Sequence, residues 1–175
     1  MPASQPLFDL SKIDLARIAM KREEMERYIP HRGAMFLLDG IVWHDAAMSA
    51  GLAVKHVRDD EFWVPGHIPG RPLLPGVLMI ECGAQLASYL YYKRSGVDSF
   101  AGFTRIEDVE FRGQVVPGDT FYVLCKEVKF SIKRFITEIQ GMVNGQVVFQ
   151  ARIHGMAFPG LGEKRQISEP VLRRN

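Results

Sequence analysis

The hydrophobic pattern divides the chain into a charged lead, two short strands, one very apolar stretch and a long alternating region. Residues 1–10 contain two prolines and read as a loose arm. From Ser11 or Asp14 to about Arg27 the pattern is helical: Ile13, Ile18 and Met25 stand among Lys21, Arg22, Glu23, Glu24 and Glu26, and Pro30 ends it. A Pro-His-Arg-Gly turn leads through apolar Phe36–Leu38 into a strand from Gly40 to His44. Ser49 to His56 predicts a second strand, with Leu52, Val54 and His56 on one face. Asp59, Asp60 and Glu61 mark a turn. The most apolar segment follows, a helix opened by Pro75-Gly76 and left through polar Lys93–Ser99. Phe100 to Phe111 alternates loosely, and Gly113 to Asp119 turns through Pro-Gly-Asp. Thr120 to Ser131 alternates well, with Phe121, Val123 and Cys125 on one side and Tyr122, Leu124 and Lys126 on the other. Arg134–Val143 and Gln146–Phe158 form a pair joined by Asn144-Gly145, the strongest short hairpin signal. The layout is α+β. A helix this apolar must be covered, most simply by a curved antiparallel sheet.

Composition narrows the classes. The 175 residues suit one domain, read as an arm and short helix over 1–27, a main domain over 28–158 and a basic tail over 159–175. Lys and Arg number 22 against 20 Asp and Glu, so no global charge points to nucleic acid. Cys82 and Cys125 form no disulfide framework and no metal-ligand spacing, which predicts small buried hydrophobes in a reducing compartment and no metal. No leader-like segment opens the chain. The apolar run Pro72–Tyr92 is broken by Pro75, Glu81 and Gln85, so no membrane insertion is expected and the cytoplasm is the expected location.

Chemistry concentrates between Val64 and Ser88. Glu81 lies in an apolar helix beside Val77, Leu78, Ala84 and Gln85. An unpaired charge there is costly, and burial raises a carboxyl pKa, which suits a general acid. A structural glutamate that caps a group or faces solvent through a gap fits the helix as well. His67 stands between Pro65-Gly66 and Pro69-Gly70, a stiff backbone with little bulk. It is a candidate base, or an ordinary hydrogen-bonded loop histidine. Gly76 opens the helix with no side chain over its N–H, where amides and helix dipole favour negative charge on a carbonyl oxygen. Base, acid and oxyanion donor within 15 residues suit proton removal alpha to a carbonyl with loss of a beta leaving group.

Gly66 to Gln85, GHIPGRPLLPGVLMIECGAQ, resembles the active-site signature of the (3R)-hydroxyacyl-[acyl-carrier-protein] dehydratases: Gly-His-Phe-Pro-Gly-x-Pro, Pro-Gly-Val-Leu, then Glu-Ala-x-Ala-Gln. Tyr28–Asp39 (YIPHRGAMFLLD) and Phe111–Asp119 (FRGQVVPGD) resemble two further family stretches in the right order. The resemblance implies a hot-dog fold and a homodimer with a shared active site; many members are trimers of dimers. It implies that His67 takes the C2 proton, that Glu81 of the other subunit protonates the departing C3 hydroxyl, and that Gly76 N–H, helped by Val77, polarises the thioester carbonyl. It also implies an acyl-carrier-protein partner bearing the substrate on phosphopantetheine, with no other cofactor. Ile68, Pro69, Phe100 and Phe103 become candidates for the acyl tunnel, core packing being the other role of the two phenylalanines. Arg71, Lys93 and Arg94 become candidates for carrier-protein docking, or plain surface charges. Glutamate at 81, where isomerising relatives carry aspartate, implies a dehydratase without isomerase activity.

Departures from the family pattern are Asp39-Gly40 for Asp-Arg, Cys82 for Ala, and Arg105 for a small residue. Arg105 either enters the tunnel or faces solvent. The competing readings are a hot-dog thioesterase, a dehydratase of a specialised acyl or polyketide pathway, an enoyl-CoA hydratase and a non-catalytic homologue. The hydratase type needs an Asp shortly before the His, and none lies between Phe62 and His67.

Overall fold

A computed structural model of the chain describes residues 5–97 and 99–158. One antiparallel sheet runs in the order β1-β2-β3-β5-β6-β7-β4. Its strands are β1 (Met20–Lys21), β2 (Gly40–His44), β3 (Ala50–His56), β4 (Phe100–Phe111), β5 (Thr120–Phe130), β6 (Arg134–Val143) and β7 (Gln146–Phe158). A single turn, α1, covers Arg22–Met25, and the long helix α2 covers Gly76–Ser95. The sheet holds α2 in its curve, the hot-dog arrangement.

Burial follows from composition. Helix α2 is apolar nearly all round, and Cys82 to Tyr92 are all buried. Gly96, in the left-handed region at φ 62°, stops it. A Cβ on Gly83 would lie 2.4 Å from the Ile139 side chain, so this glycine lets α2 settle onto β6. The inner sheet face packs Ala53, Phe121, Val123, Cys125, Ile139 and Ile153 against the helix. Asn144 and Gly145 both take positive φ (49° and 76°), the hairpin turn their sequence predicts. No helix among the described residues is long and apolar enough to cross a membrane.

The N-terminal region differs from its sequence pattern. Only Arg22–Met25 is helical, because Met20–Lys21 pair with β2 and Met25 and Ile29 turn fully into the core. Residues 5–10 are not loose either. The outer sheet face carries a second apolar cluster of Val42, Leu52, Val54, Leu124 and Met142, and Leu7, Phe8, Leu10, Ile13 and Leu15 cover it. Phe8 packs 5.4 Å from Trp43, and the Gln140 amide holds the arm through Leu7 N–H (2.9 Å) and the Gln5 carbonyl (3.1 Å). The expected tail, 159–175, lies outside the described residues.

A buried ion pair fixes the loop between β3 and α2. Lys55 and Glu61 are 2% and 8% exposed, and Lys55 Nζ donates to Glu61 Oε2 at 2.7 Å. Arg58 N–H and Trp63 Nε1–H donate to the same carboxylate at 3.0 Å each. The Trp63 carbonyl in turn accepts the His67 N–H at 2.8 Å. Burial alone would raise the Glu61 pKa; the Lys55 ammonium and these donors more than offset it and hold it below the ordinary value.

Two outcomes follow from these contacts. Phe8→Ala should cost about 1–2 kcal/mol in denaturant unfolding, the loss of a half-buried aromatic contact. Lys55→Met should cost about 3–5 kcal/mol at neutral pH by stranding Glu61. Because the folded Glu61 pKa lies below its unfolded value, the pair's contribution is present above the unfolded value and lost as pH falls through the folded one. Unfolding of Glu61→Gln should therefore depend less on pH through the acid range than unfolding of the unaltered protein.

Candidate active site

Glu81 is not surrounded by apolar groups alone. Its side chain is 20% exposed; Oε1 accepts a hydrogen bond from Gln85 Nε2 at 2.9 Å and lies 3.0 Å from His31 Nε2. Oε2 has no hydrogen-bond partner among the described residues. Gln85, fully buried one turn later, also donates to the Met35 carbonyl (2.7 Å) and accepts from Leu37 N–H (3.0 Å). This amide ties the segment before β2 to α2. Arg32 stiffens the same segment by donating to the carbonyls of Glu26, Ile29 and His31. Sequence reasoning did not select His31 or Gln85 as site residues. The signals were there: Gln85 is four residues past Glu81, the spacing of helical neighbours, and His31 sits in the Tyr28–Asp39 motif.

A cavity of about 180 Å³ opens beside Glu81. Ala84 and Ser88 follow Glu81 on the same face of α2, and their small side chains leave the space. Phe100, Phe103 and Phe135 close it together with His31. Phe100 and Phe103, the two aromatic tunnel candidates, are thus in the wall of this cavity. Ile68 and Pro69 are exposed on the His67 loop and do not line this cavity within one chain.

His67 is poised differently. Its Nδ1 lies 2.7 Å from the Leu73 carbonyl. A carbonyl only accepts, so Nδ1 carries the hydrogen and Nε2 is bare, the form a general base needs. Ile68 and Gly70 hold positive φ (59° and 82°), so the loop turns sharply just past the imidazole. At the start of α2, Leu78 and Met79 N–H bond to the Pro75 carbonyl, which leaves the Gly76 and Val77 N–H groups outside the helical ladder. A Cβ on Gly76 would lie 2.7 Å from the Phe111 ring, so a larger residue there would require that ring to shift. Within one chain, His67 and Glu81 neither hydrogen-bond nor share the cavity.

The basic candidates separate. Arg71 is exposed and reaches Gln114 at 3.2 Å. Lys93 donates to Tyr28 Oη at 2.9 Å, and Arg94 pairs with Glu127 over the Phe130 ring, so both are engaged within the fold. Arg105 lies on the outer sheet face. Phe103 pairs with inward Gly155, but a register shift between 103 and 105 sets Arg105 opposite His154. It is 67% exposed and paired with Glu107. Cys82 and Cys125 are fully buried, and burial pushes both thiols up to about 12, which removes them as nucleophiles. No three His, Cys, Asp or Glu side chains among the described residues cluster as metal ligands do.

Comparison with known proteins identifies the family. The model of the FabA-like domain matches residues 29–152. The 3-hydroxyacyl-[acyl-carrier-protein] dehydratase FabZ of Sinorhizobium fredii is 36% identical over 137 residues, 77% of this chain and 87% of that protein. The protein of the same name from Aromatoleum aromaticum is 35% identical over 140 residues, 77% and 94% of the two chains. Among solved structures, the dehydratase heterocomplex ApeI:P from Xenorhabdus doucetiae superposes with a TM-score of 0.65 at 20% identity, over 78% of this chain and 91% of that one. An uncharacterized protein from Pyrococcus horikoshii does so at 0.56 and 13%, over 71% and 86%. The matched span holds the His67 loop, the whole of α2 and the strands that wrap it, and with relatives above 30% identity along most of their length this chain belongs to the FabA-like domain family.

Proposed function

We propose that the chain dehydrates (3R)-hydroxyacyl thioesters, carried on acyl carrier protein, to trans-2-enoyl thioesters in fatty-acid elongation. The observation that carries this reading is the complementary hydrogen bonding of two groups. His67 is held with Nε2 bare, and Glu81, which lines a cavity, is held by Oε1 while Oε2 has no hydrogen-bond partner among the described residues. His67 Nε2 takes the C2 proton, and the C2–H electrons form the C2–C3 double bond. The C3–O bond breaks as Glu81 Oε2 gives its proton to the leaving oxygen, so water departs. The Gly76 and Val77 N–H groups receive the charge that develops on the thioester oxygen. No metal or redox group takes part. Glutamate at 81 supports dehydration without isomerisation.

The two groups meet between subunits. Strand β4 is a sheet edge, and it exposes Phe100, Phe103, Ile106, Val109 and Phe111 by 37–52%. An open apolar edge of this length invites pairing. Two such edges related by a two-fold axis join the sheets and set the His67 loop of one subunit beside the Glu81 cavity of the other. The acidic carrier protein docks through Arg71, the one of the three basic candidates left at the surface beside the His67 loop. Arg105, Lys129 and Arg134, around a cleft of about 530 Å³ that shares Phe135 with the Glu81 cavity, add positive charge.

The test is hydration of a trans-2-enoyl acyl-carrier-protein, followed as loss of enoyl absorbance. The unaltered protein should hydrate it, and His67→Ala and Glu81→Gln should each lower the rate roughly 10²–10⁴-fold. Release of free thiol without hydration would instead establish a thioesterase. Unfolding and refolding the two variants together should restore about a quarter of the activity, since half the dimers are mixed and each has one intact site. No recovery would place both groups in one subunit.

A further inference from the structure

Glu81 faces the cavity, yet its carboxyl is gripped from behind by a residue the proposed reaction does not use. His31 Nε2 lies 3.0 Å from Glu81 Oε1, the same oxygen that accepts from Gln85. The other ring nitrogen, Nδ1, is buried without a hydrogen-bond partner among the described residues. A hydrogen on Nδ1 would have nothing to accept it, so the ring carries its hydrogen on Nε2, the nitrogen that lies beside Glu81 Oε1. The ring cannot swing away easily, because Arg32 ties the backbone on both sides of it and Gln85 ties the segment to α2. His31 also forms part of the wall of the cavity.

We propose that His31 is a positioning residue for Glu81: with Gln85 it pins Oε1, so that the proton to be transferred resides on Oε2 and points into the cavity. This rests on the dehydratase reading and assigns to it a second histidine, distinct in role from His67. Two donors on one oxygen fit both stages of the step. While Glu81 is protonated, Oε1 is its carbonyl oxygen, which accepts from Gln85 and faces the His31 Nε2–H. Once the proton has left from Oε2, the same donors stabilise the carboxylate without moving. Without His31 the side chain keeps one anchor and regains rotamer freedom.

The experiment is steady-state hydration by three dimeric proteins: unaltered, His31→Ala and His31→Gln. Misplacing an acid by about 1 Å costs on the order of 10²-fold, so His31→Ala should lose about 10- to 100-fold in kcat with KM within about twofold. His31→Gln, which keeps an N–H donor near the Nε2 position, should recover most of the loss. A melting temperature for each variant separates positioning from folding. In the unaltered protein, nitrogen NMR of the imidazole should report the Nε2–H tautomer of His31. Unchanged kcat in His31→Ala, equal losses in both variants that track melting temperature, or an Nδ1–H tautomer would each overturn the inference. If the unaltered protein hydrates the substrate and His67→Ala does not, such a result falls on His31 alone; if the unaltered protein fails to hydrate it, the dehydratase reading itself fails.

Discussion

A polar side chain buried in an apolar helix must find its partners inside the protein, and in this chain Gln85 finds them all. Its oxygen accepts from Leu37, and its nitrogen donates to Met35 and to Glu81. Leaving such an amide unsatisfied costs roughly 1–3 kcal/mol per group, so the segment before β2 has one favourable position against α2. That position delivers His31 to Glu81 and seats Phe36, Leu37 and Leu38 in the core. Core packing and the geometry of the acid are thus set by the same three hydrogen bonds.

The other half of the site has its own anchor of the same kind. Lys55 and Glu61 are buried on the inner side of β3, and Trp63 connects them to the His67 backbone. Neither anchor borrows a residue from the other. The His67 loop and the Glu81 cavity are therefore each rigid within one chain yet separate within it. This is the arrangement a site shared across a two-fold axis requires. In the proposed dimer two preformed halves would meet, and little conformational entropy would remain to be lost when substrate binds.

What was legible in the sequence was whatever depends on period. The bounds of β4, β6 and β7 coincide with the alternating runs, and the turn at Asn144-Gly145 was set by residue type. Glu81 and His67 stood out because each was chemically out of place. The rest depended on tertiary contacts that a local pattern does not show. The charged run before Pro30 has helical spacing but keeps only Arg22–Met25, since the sheet edge takes Met20–Lys21. Lys93 and Arg94 look like free charges until Tyr28 and Glu127, 65 and 33 residues away, come to meet them. Arg105 would share a face with Phe103 by simple alternation, and only a bulge, invisible in the residue pattern, turns it outward. His31 was hidden for the opposite reason: nothing near it in sequence shows that its partner is Glu81, fifty residues on.

Two of the oddities in the sequence turn out to be one feature. The family model begins to match only at residue 29, and the family signature carries Arg where Gly40 stands. A Cβ at Gly40 would lie 2.8 Å from the Ile18 side chain and 2.9 Å from the Met20 carbonyl. Any side chain there would expel the segment that pairs with β2 and leads the arm over the outer cluster. The arm covers an apolar face that Leu52, Val54 and Leu124 would otherwise present to water, and Gly40 is the gap through which it passes. This substitution is therefore explained by packing of the extension on the outer face, remote from the cavity. By contrast, Gly76 is confined by Phe111 at the mouth of the site. The two glycines differ in what a side chain would strike: at Gly40 the backbone carbonyl of Met20, which cannot yield without moving the extension, and at Gly76 only the half-exposed ring of Phe111.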